Sequence, residues 1–298
     1  MLLKTMLLKN YLTLLAIGFI WGSQFIFQEL ALASFSPIWI GATRAVIGAL
    51  TLIVICKSIG IKSTSNQWVL FSVIGLLEAA IPFVLVPWGQ QDLDSSIAAI
   101  LMGTLPFYVL LLAPVFVKGA KINAANTISV VVGFSGLVVL FYPELSSGAG
   151  DIDLISALAI IVAAVCFATA LLLLNRVRDE HPLIVARNVL SAASIQLIVI
   201  AFITTPFEYQ AASSTAILSI LYLGSICAGV VYYLYMMCIK NAGPVFTSMT
   251  NYIVPAVGVF IGALVTHESI QPNTWFALLV ILAALFINQM LSKQDQAA

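Results

Sequence analysis

Glu78 lies about halfway along an apolar stretch that runs from Trp68 to Trp88, and Arg44 lies inside another, Pro37–Cys56. An ionisable group at the centre of a bilayer costs about 2.5–3.5 kcal/mol on insertion scales, so each is a functional candidate by position alone. Glu78 precedes Pro82 by one helical turn. Proline has no N–H, which frees the Glu78 carbonyl and makes that helix face polar twice over. A carboxyl this far from water suits a proton-coupling site or a counter-charge for a substrate amine. The competing reading is a neutral carboxyl that bonds neighbouring helices together. Arg44 can grip a carboxylate or phosphate, or it can pair internally with Glu78 or Glu29. Arg187, close after Pro182, can snorkel to the interface and is read as structural.

Neutral polar and aromatic residues add to this set. Trp21, Gln24 and Gln28 follow an i, i+3, i+7 spacing and share one helix face. Amides are poor lipid neighbours, so the stripe is read as the wall of a wet cavity, against interhelical hydrogen bonding. Trp88, Tyr108, Tyr232 and Tyr233 offer π-faces with polar tips, suited to an organic cation or a ring and equally suited to packing. Thr247 and Asn251 share a face at i, i+4 ahead of Pro255, with Thr250 beside them. The expected substrate-binding residues are therefore Trp21, Gln24, Gln28, Arg44, Glu78, Trp88, Tyr108, Tyr232, Tyr233 and Asn251, with Glu78 also the coupling residue.

The elements that position them are apolar helices. Hydrophobic residues make up 62% of the 298 and charged residues 8%, against roughly 25% charged in soluble domains. A helical span needs about 20 apolar residues. Ten are expected: Tyr11–Ala31, Pro37–Cys56, Trp68–Trp88, Ser95–Val117, Asn126–Tyr142, Leu154–Leu174, Pro182–Thr205, Ala216–Cys238, Pro244–Val265 and Trp275–Leu291, with a loop over Pro143–Asp153. The reading is an all-α polytopic membrane protein. The runs lack the two-residue alternation of a membrane barrel. Met1–Lys9 resembles the start of a signal peptide, but the apolar run after it is interrupted by Gln24 and Gln28, so an uncleaved first span is expected. Lys4, Lys9, Lys57, Lys62, Lys118, Lys121, Arg176, Arg178, Lys240 and Lys293 fall in alternate gaps, which predicts both termini to be cytoplasmic.

The two halves match. Val69–Pro106 aligns with Leu218–Pro255 at a constant offset of 149, placing Gly75 on Gly224 and Pro106 on Pro255. Thr127–Leu140 aligns with Thr274–Ile287 at an offset of 147. Five helices per half is an odd number, so the second half must sit inverted relative to the first. Inverted repeats place a site near the midplane at their interface and give alternating access around it.

The whole chain resembles the EamA family of the drug/metabolite transporter superfamily. The matching pieces are Trp21-Gly22-Ser23, Arg44, Leu105-Pro106, Ile253-Val254-Pro255 and His267-Glu268. The family's Gly-Glu after the fourth helix is absent here, where the chain reads Lys118-Gly119-Ala120-Lys121. The resemblance implies two five-helix repeats, residues 1–143 and 144–298. It also implies a secondary transporter for small metabolites, often exporting them, with a cavity walled by helices other than the fifth and tenth.

The expected function is an exporting secondary carrier for small metabolites such as amino acids or their derivatives, in the inner membrane, acting by alternating access. The alternatives are a scaffold or channel-like protein, or a carrier for nucleoside, sugar-type or drug-like substrates. The partners are a small-molecule substrate and the lipid bilayer, with proton coupling and a monomer or weak homodimer. No cofactor, metal or nucleic acid is expected. Cys56, Cys166, Cys227 and Cys238 lack metal-ligand spacing and read as small apolar filling. His181 and His267 lie in loops and no Asp falls within a span, so an intramembrane enzyme is disfavoured. The absence of a Gly-x-x-x-x-Gly-Lys-Ser/Thr loop excludes ATP-driven transport within this chain.

Overall fold

A computed structural model of the chain describes residues 2–62, 65–116, 124–147, 152–177, 179–205, 212–247, 250–266 and 270–297. The described residues form helices, with no strand among them. In chain order these are α1 (Leu2–Leu32), α2 (Pro37–Ser58), α3 (Trp68–Gly89) and α4 (Ser95–Phe116, interrupted after Met102). Next come α5 (Ala124–Ser147), α6 (Leu154–Leu174) and α7 (Pro182–Thr204). Helix α8 starts at Ser214 and ends at Thr247, α9 starts at Thr250 and ends at Thr266, and α10 covers Pro272–Ala297. Seven helices are long and apolar enough to cross a membrane; the other three hold shorter apolar stretches, Val130–Leu140, Ile253–Val265 and Pro272–Ala284. The chain is a polytopic helical membrane protein, and its many exposed large apolar side chains, such as Val69, Val115 and Ile203, suit a lipid solvent.

Two boundaries differ from expectation. Pro143 does not open a loop, because α5 continues to Ser147. Pro244 does not open the ninth helix, because α8 continues through it to Thr247. A proline inside a membrane helix forfeits one N–H donor, and neighbouring groups can re-satisfy the freed carbonyl, so the helix can pass through it. Among the described residues Thr247 is the last of α8 and Thr250 the first of α9, and the Thr250 hydroxyl donates to the Thr247 carbonyl.

The start of α6 is fixed by Asp153, whose Oδ2 accepts from the Ser156 amide at 2.7 Å. That hydrogen bond holds the Asp153 carboxyl below its ordinary value of 3.8. A depressed carboxyl stabilises the fold above the unfolded value and stops doing so as pH falls through the folded one. Asp153→Ala should therefore lower Tm at neutral pH, and Asp153→Asn should keep the cap but flatten the acid-side fall in Tm. A thermal-unfolding series over pH checks both.

Exchanging each helix of the first five for the one five places later maps the most extensively packed pairs onto packed pairs. Helix α1 packs on α9, and α6 on α4. Likewise α2 packs on α8, and α7 on α3, while α2–α7, α4–α9 and α5–α10 map onto themselves. Glycines allow close approaches between helices. Gly75 of α3 lies against the backbone of Val189 in α7, and Gly224 of α8 lies against Ile47 and the Arg44 carbonyl in α2.

Each of the two matched helices also contains a π turn, Leu76–Ala80 in α3 and Ser225–Val230 in α8. Their first residues coincide under the offset that superposes Gly75 on Gly224. A π turn shifts the hydrogen-bond ladder by one residue and releases carbonyls from their usual donors. Here Ile81 N–H donates to the Leu76 carbonyl and Val231 N–H to the Ile226 carbonyl, each five residues back.

Candidate functional site

A cleft holding about 580 Å³ of empty space, its open mouth included, lies between α1, α2, α3, α4, α6, α8 and α9. Trp21, Gln24 and Gln28 line it together, as their spacing along α1 requires, and Arg44 and Tyr232 face them. The rest of the wall is apolar, with Phe25, Phe83 and Phe167 the largest side chains. Among the described residues, helices α5 and α10 contribute none to the lining; they pack on each other instead.

The released carbonyl of α8 organises the polar end. The amide that would claim Cys227 O in an α-helix, that of Val231, donates to Ile226 O instead. Cys227 O accepts from Trp21 Nε1 at 3.3 Å and from Arg44 Nη2 at 3.5 Å. Arg44 Nη2 also donates to Gln24 Oε1 at 2.5 Å, and the guanidinium carbon stacks 3.9 Å from the centre of the Phe83 ring. Gln28 Nε2 reaches Gln24 O at 3.4 Å, and its buried Oε1 has no partner. Trp21 is wedged edge-on to Phe167 and Tyr232 and tilted against Tyr235, with ring centroids 4.8–6.1 Å away. These contacts fix the site's polar groups without filling it.

Glu78 does not line the cleft. It sits in the π turn of α3, 1% exposed, and neither carboxyl oxygen has a hydrogen-bond partner among the described residues. Its backbone behaves as Pro82 predicts: the Glu78 carbonyl, with no amide at Pro82 to claim it, accepts from Tyr232 Oη at 3.2 Å. Tyr232 therefore stands between the cleft and the Glu78 turn. The anticipated ion pair between Arg44 and Glu78 is not formed, because Gln24, Cys227 O and the Phe83 ring hold the guanidinium on the cleft side.

Three other expected residues are placed elsewhere. Trp88 is 38% exposed on the outside of α3; it follows the lining residue Val86 by two positions, which turns it to the opposite side of the helix. Tyr108 is buried against Phe134 of α5, with ring centroids 5.9 Å apart, and is not at the cleft. Tyr233 is turned away from the lining position taken by its neighbour Tyr232 and packs partly buried against the core. Asn251 falls on α9, but its side chain lies outside the described residues. Arg187 is fixed by two hydrogen bonds to Asn188 Oδ1, at 3.1 and 2.8 Å. The described cysteines are free thiols, mostly buried, as small apolar filling would be.

Sequence reasoning missed the phenylalanine lining, Phe25, Phe83 and Phe167, and the role of Cys227. A phenylalanine that faces a cleft and one that faces lipid look alike in sequence, and a released carbonyl leaves no trace in residue type.

A bundle of apolar helices around a partly enclosed cleft, polar at one end and aromatic elsewhere, defines a polytopic membrane protein. The chain belongs to the EamA-like transporter family, whose model matches residues 8–142 and again 154–290. It is 24% identical over 291 residues to Uncharacterized transporter YoaV of Bacillus subtilis, covering 95% of this chain and 97% of that protein. It is 23% identical over 283 residues to Uncharacterized inner membrane transporter YedA of Escherichia coli K12, covering 94% of this chain and 90% of that protein. A solved protein structure shares the fold with a TM-score of 0.71 at 15% identity, covering 96% of this chain and 98% of that one. The family and these relatives are transporters rather than enzymes.

Proposed function

We propose that this protein is a secondary transporter that exports small metabolites, such as amino acids or their derivatives, across the inner membrane by alternating access around the α1–α9 cleft. The observation that carries this reading is the cleft itself, walled by helices of both halves and lined by Gln24, Gln28, Arg44 and Tyr232 within an otherwise apolar bundle. The two halves, 1–143 and 144–298, are read as inverted five-helix repeats. Support comes from the exchange relation among packed helices and from the matched π turns of α3 and α8.

Ten spans are part of the proposal. Helix α5 has 24 residues and α10 has 26, about 36 Å or more at 1.5 Å per residue, against a hydrocarbon core of about 30 Å. Both termini are placed in the cytoplasm by the basic residues in alternate gaps, and outward transport is the direction carried by the family resemblance. Glu78 is the proton-coupling group, reached from the cleft through Tyr232.

Ligand-induced thermal stabilisation of the purified protein tests the substrate class, using amino acids, amines, nucleosides and sugar phosphates. The expected result is stabilisation by a compound bearing a carboxyl or amino group, lost in Gln24→Ala and in Tyr232→Ala. Stabilisation by nucleosides or sugar phosphates alone would replace the proposed substrate class. Reporter fusions at each terminus test the orientation, and a signal from outside the cytoplasm at either end would overturn it.

A further inference from the structure

We infer that the cleft selects a monocarboxylate on an apolar or aromatic body, with Arg44 as the group that receives the carboxylate. The inference rests on the transporter reading and adds the charge and shape of what is carried.

Arg44 is 3% exposed, deep in α2. A guanidinium keeps its proton in proteins. Yet its described neighbours are all neutral: an amide oxygen, a backbone carbonyl and a phenyl ring. Its hydrogen bonds run through Nη2, and Nε is buried with no partner. A charge left unpaired away from water is costly, and an internal carboxylate would relieve that cost. Glu78, buried in the neighbouring α3, is kept apart from Arg44 and has no hydrogen-bond partner of its own. Gln24 and Cys227 O fix the orientation of the guanidinium but supply no negative charge. The remaining positive charge is available to an anion that enters the cleft.

The wall limits that anion to one charge. Among the described lining residues Arg44 is the only cation, and no carboxylate accompanies it. A phosphomonoester brings about −1.5 to −2 charges, which a single guanidinium cannot balance in an apolar cleft. An amine without an acid group would place like charges together. A carboxylate matches the single charge and the planar fork. The rest of the molecule must then lie among Trp21, Phe25, Phe83 and Phe167, surfaces that favour an apolar or aromatic body.

Three compounds of one shape separate the possibilities: phenylacetate, 2-phenylethanol and phenethylamine. Binding to the purified wild-type protein is read by thermal stabilisation and tryptophan fluorescence. Phenylacetate should bind at least about tenfold more tightly than the alcohol, the lower end of what a charge-assisted hydrogen bond contributes, and the amine should bind most weakly. Arg44→Gln should bring phenylacetate and the alcohol to within about twofold of each other, and Arg44→Lys should restore part of the gap. Equal or tighter binding of the alcohol or the amine overturns the inference, as does binding of none of the three. An unchanged carboxylate preference in Arg44→Gln also overturns it. The wild-type comparison needs no variant to fold. Because binding is measured without movement, carboxylate selectivity in a protein that moves none of these compounds in liposomes would instead contradict the transporter reading.

Discussion

Glu78→Gln is expected to abolish substrate accumulation driven by a pH gradient. A one-unit gradient supplies about 1.4 kcal/mol per proton carried, a tenfold concentration ratio. The wild-type protein should approach that ratio in proteoliposomes, and the variant should stop near equality while still moving substrate down its own gradient. The argument is positional. Glu78 is 1% exposed, and both carboxyl oxygens lack hydrogen-bond partners. A carboxyl used only to bond helices together would have found a donor, since an unmade buried hydrogen bond costs about 1–3 kcal/mol. Glutamine keeps the size and removes the exchangeable proton. Tyr232, whose side chain lines the cleft and whose hydroxyl bonds to the Glu78 carbonyl, is the element through which occupancy of the cleft can be felt at the carboxyl. Transport by Glu78→Gln with unchanged rate and unchanged pH dependence would make the residue structural.

Gly75→Ala should be strongly damaging for so small a substitution. A Cβ at position 75 would lie 2.7 Å from the Val189 carbonyl oxygen and 3.2 Å from the Ala193 nitrogen. Both are backbone atoms of α7, so no rotamer change relieves the clash; α3 and α7 must separate. Overpacking of this kind costs about 1–3 kcal/mol. The clash falls one residue before the π turn that carries Glu78, so coupling should suffer along with stability. Val69→Ala, at an 82%-exposed position of the same helix, should stay within about 0.5 kcal/mol of wild type. Thermal unfolding of the two variants side by side checks the contrast, and equal Tm values would mean that the α3–α7 contact is not close.

The sequence exposed the parts of this arrangement that residue type controls. Trp21, Gln24 and Gln28 reach the cleft together because a helix puts positions i, i+3 and i+7 on one face, and a lipid-facing stripe of amides would be costly. Pro82 announced the free carbonyl of Glu78 because a missing N–H is written in the residue itself. The helical stretches and the Gly75–Gly224 correspondence were readable for the same reason.

Hydrogen-bond register was not readable. The π turns at Leu76–Ala80 and Ser225–Val230 rotate everything beyond them relative to an ideal helix, and no residue marks them. Trp88, counted inward as an aromatic near a helix end, is on the outside of α3, and Tyr108 is committed to Phe134. Cys227 read as filler, yet its carbonyl joins Trp21 to Arg44. The loop expected from Pro143 and the ninth span expected from Pro244 begin inside α5 and α8, which run through both prolines.

Substrate counterflow in proteoliposomes tests the central claim most directly, with phenylacetate or the strongest stabilising compound as substrate. If the cleft faces one side at a time, preloading with unlabelled compound should accelerate entry of labelled compound and produce a transient overshoot. Entry at a rate indifferent to preloading would mean a continuous pore, and no entry at all would mean that the bundle does not carry that substrate. Either result would contradict alternating access around the Arg44 cleft.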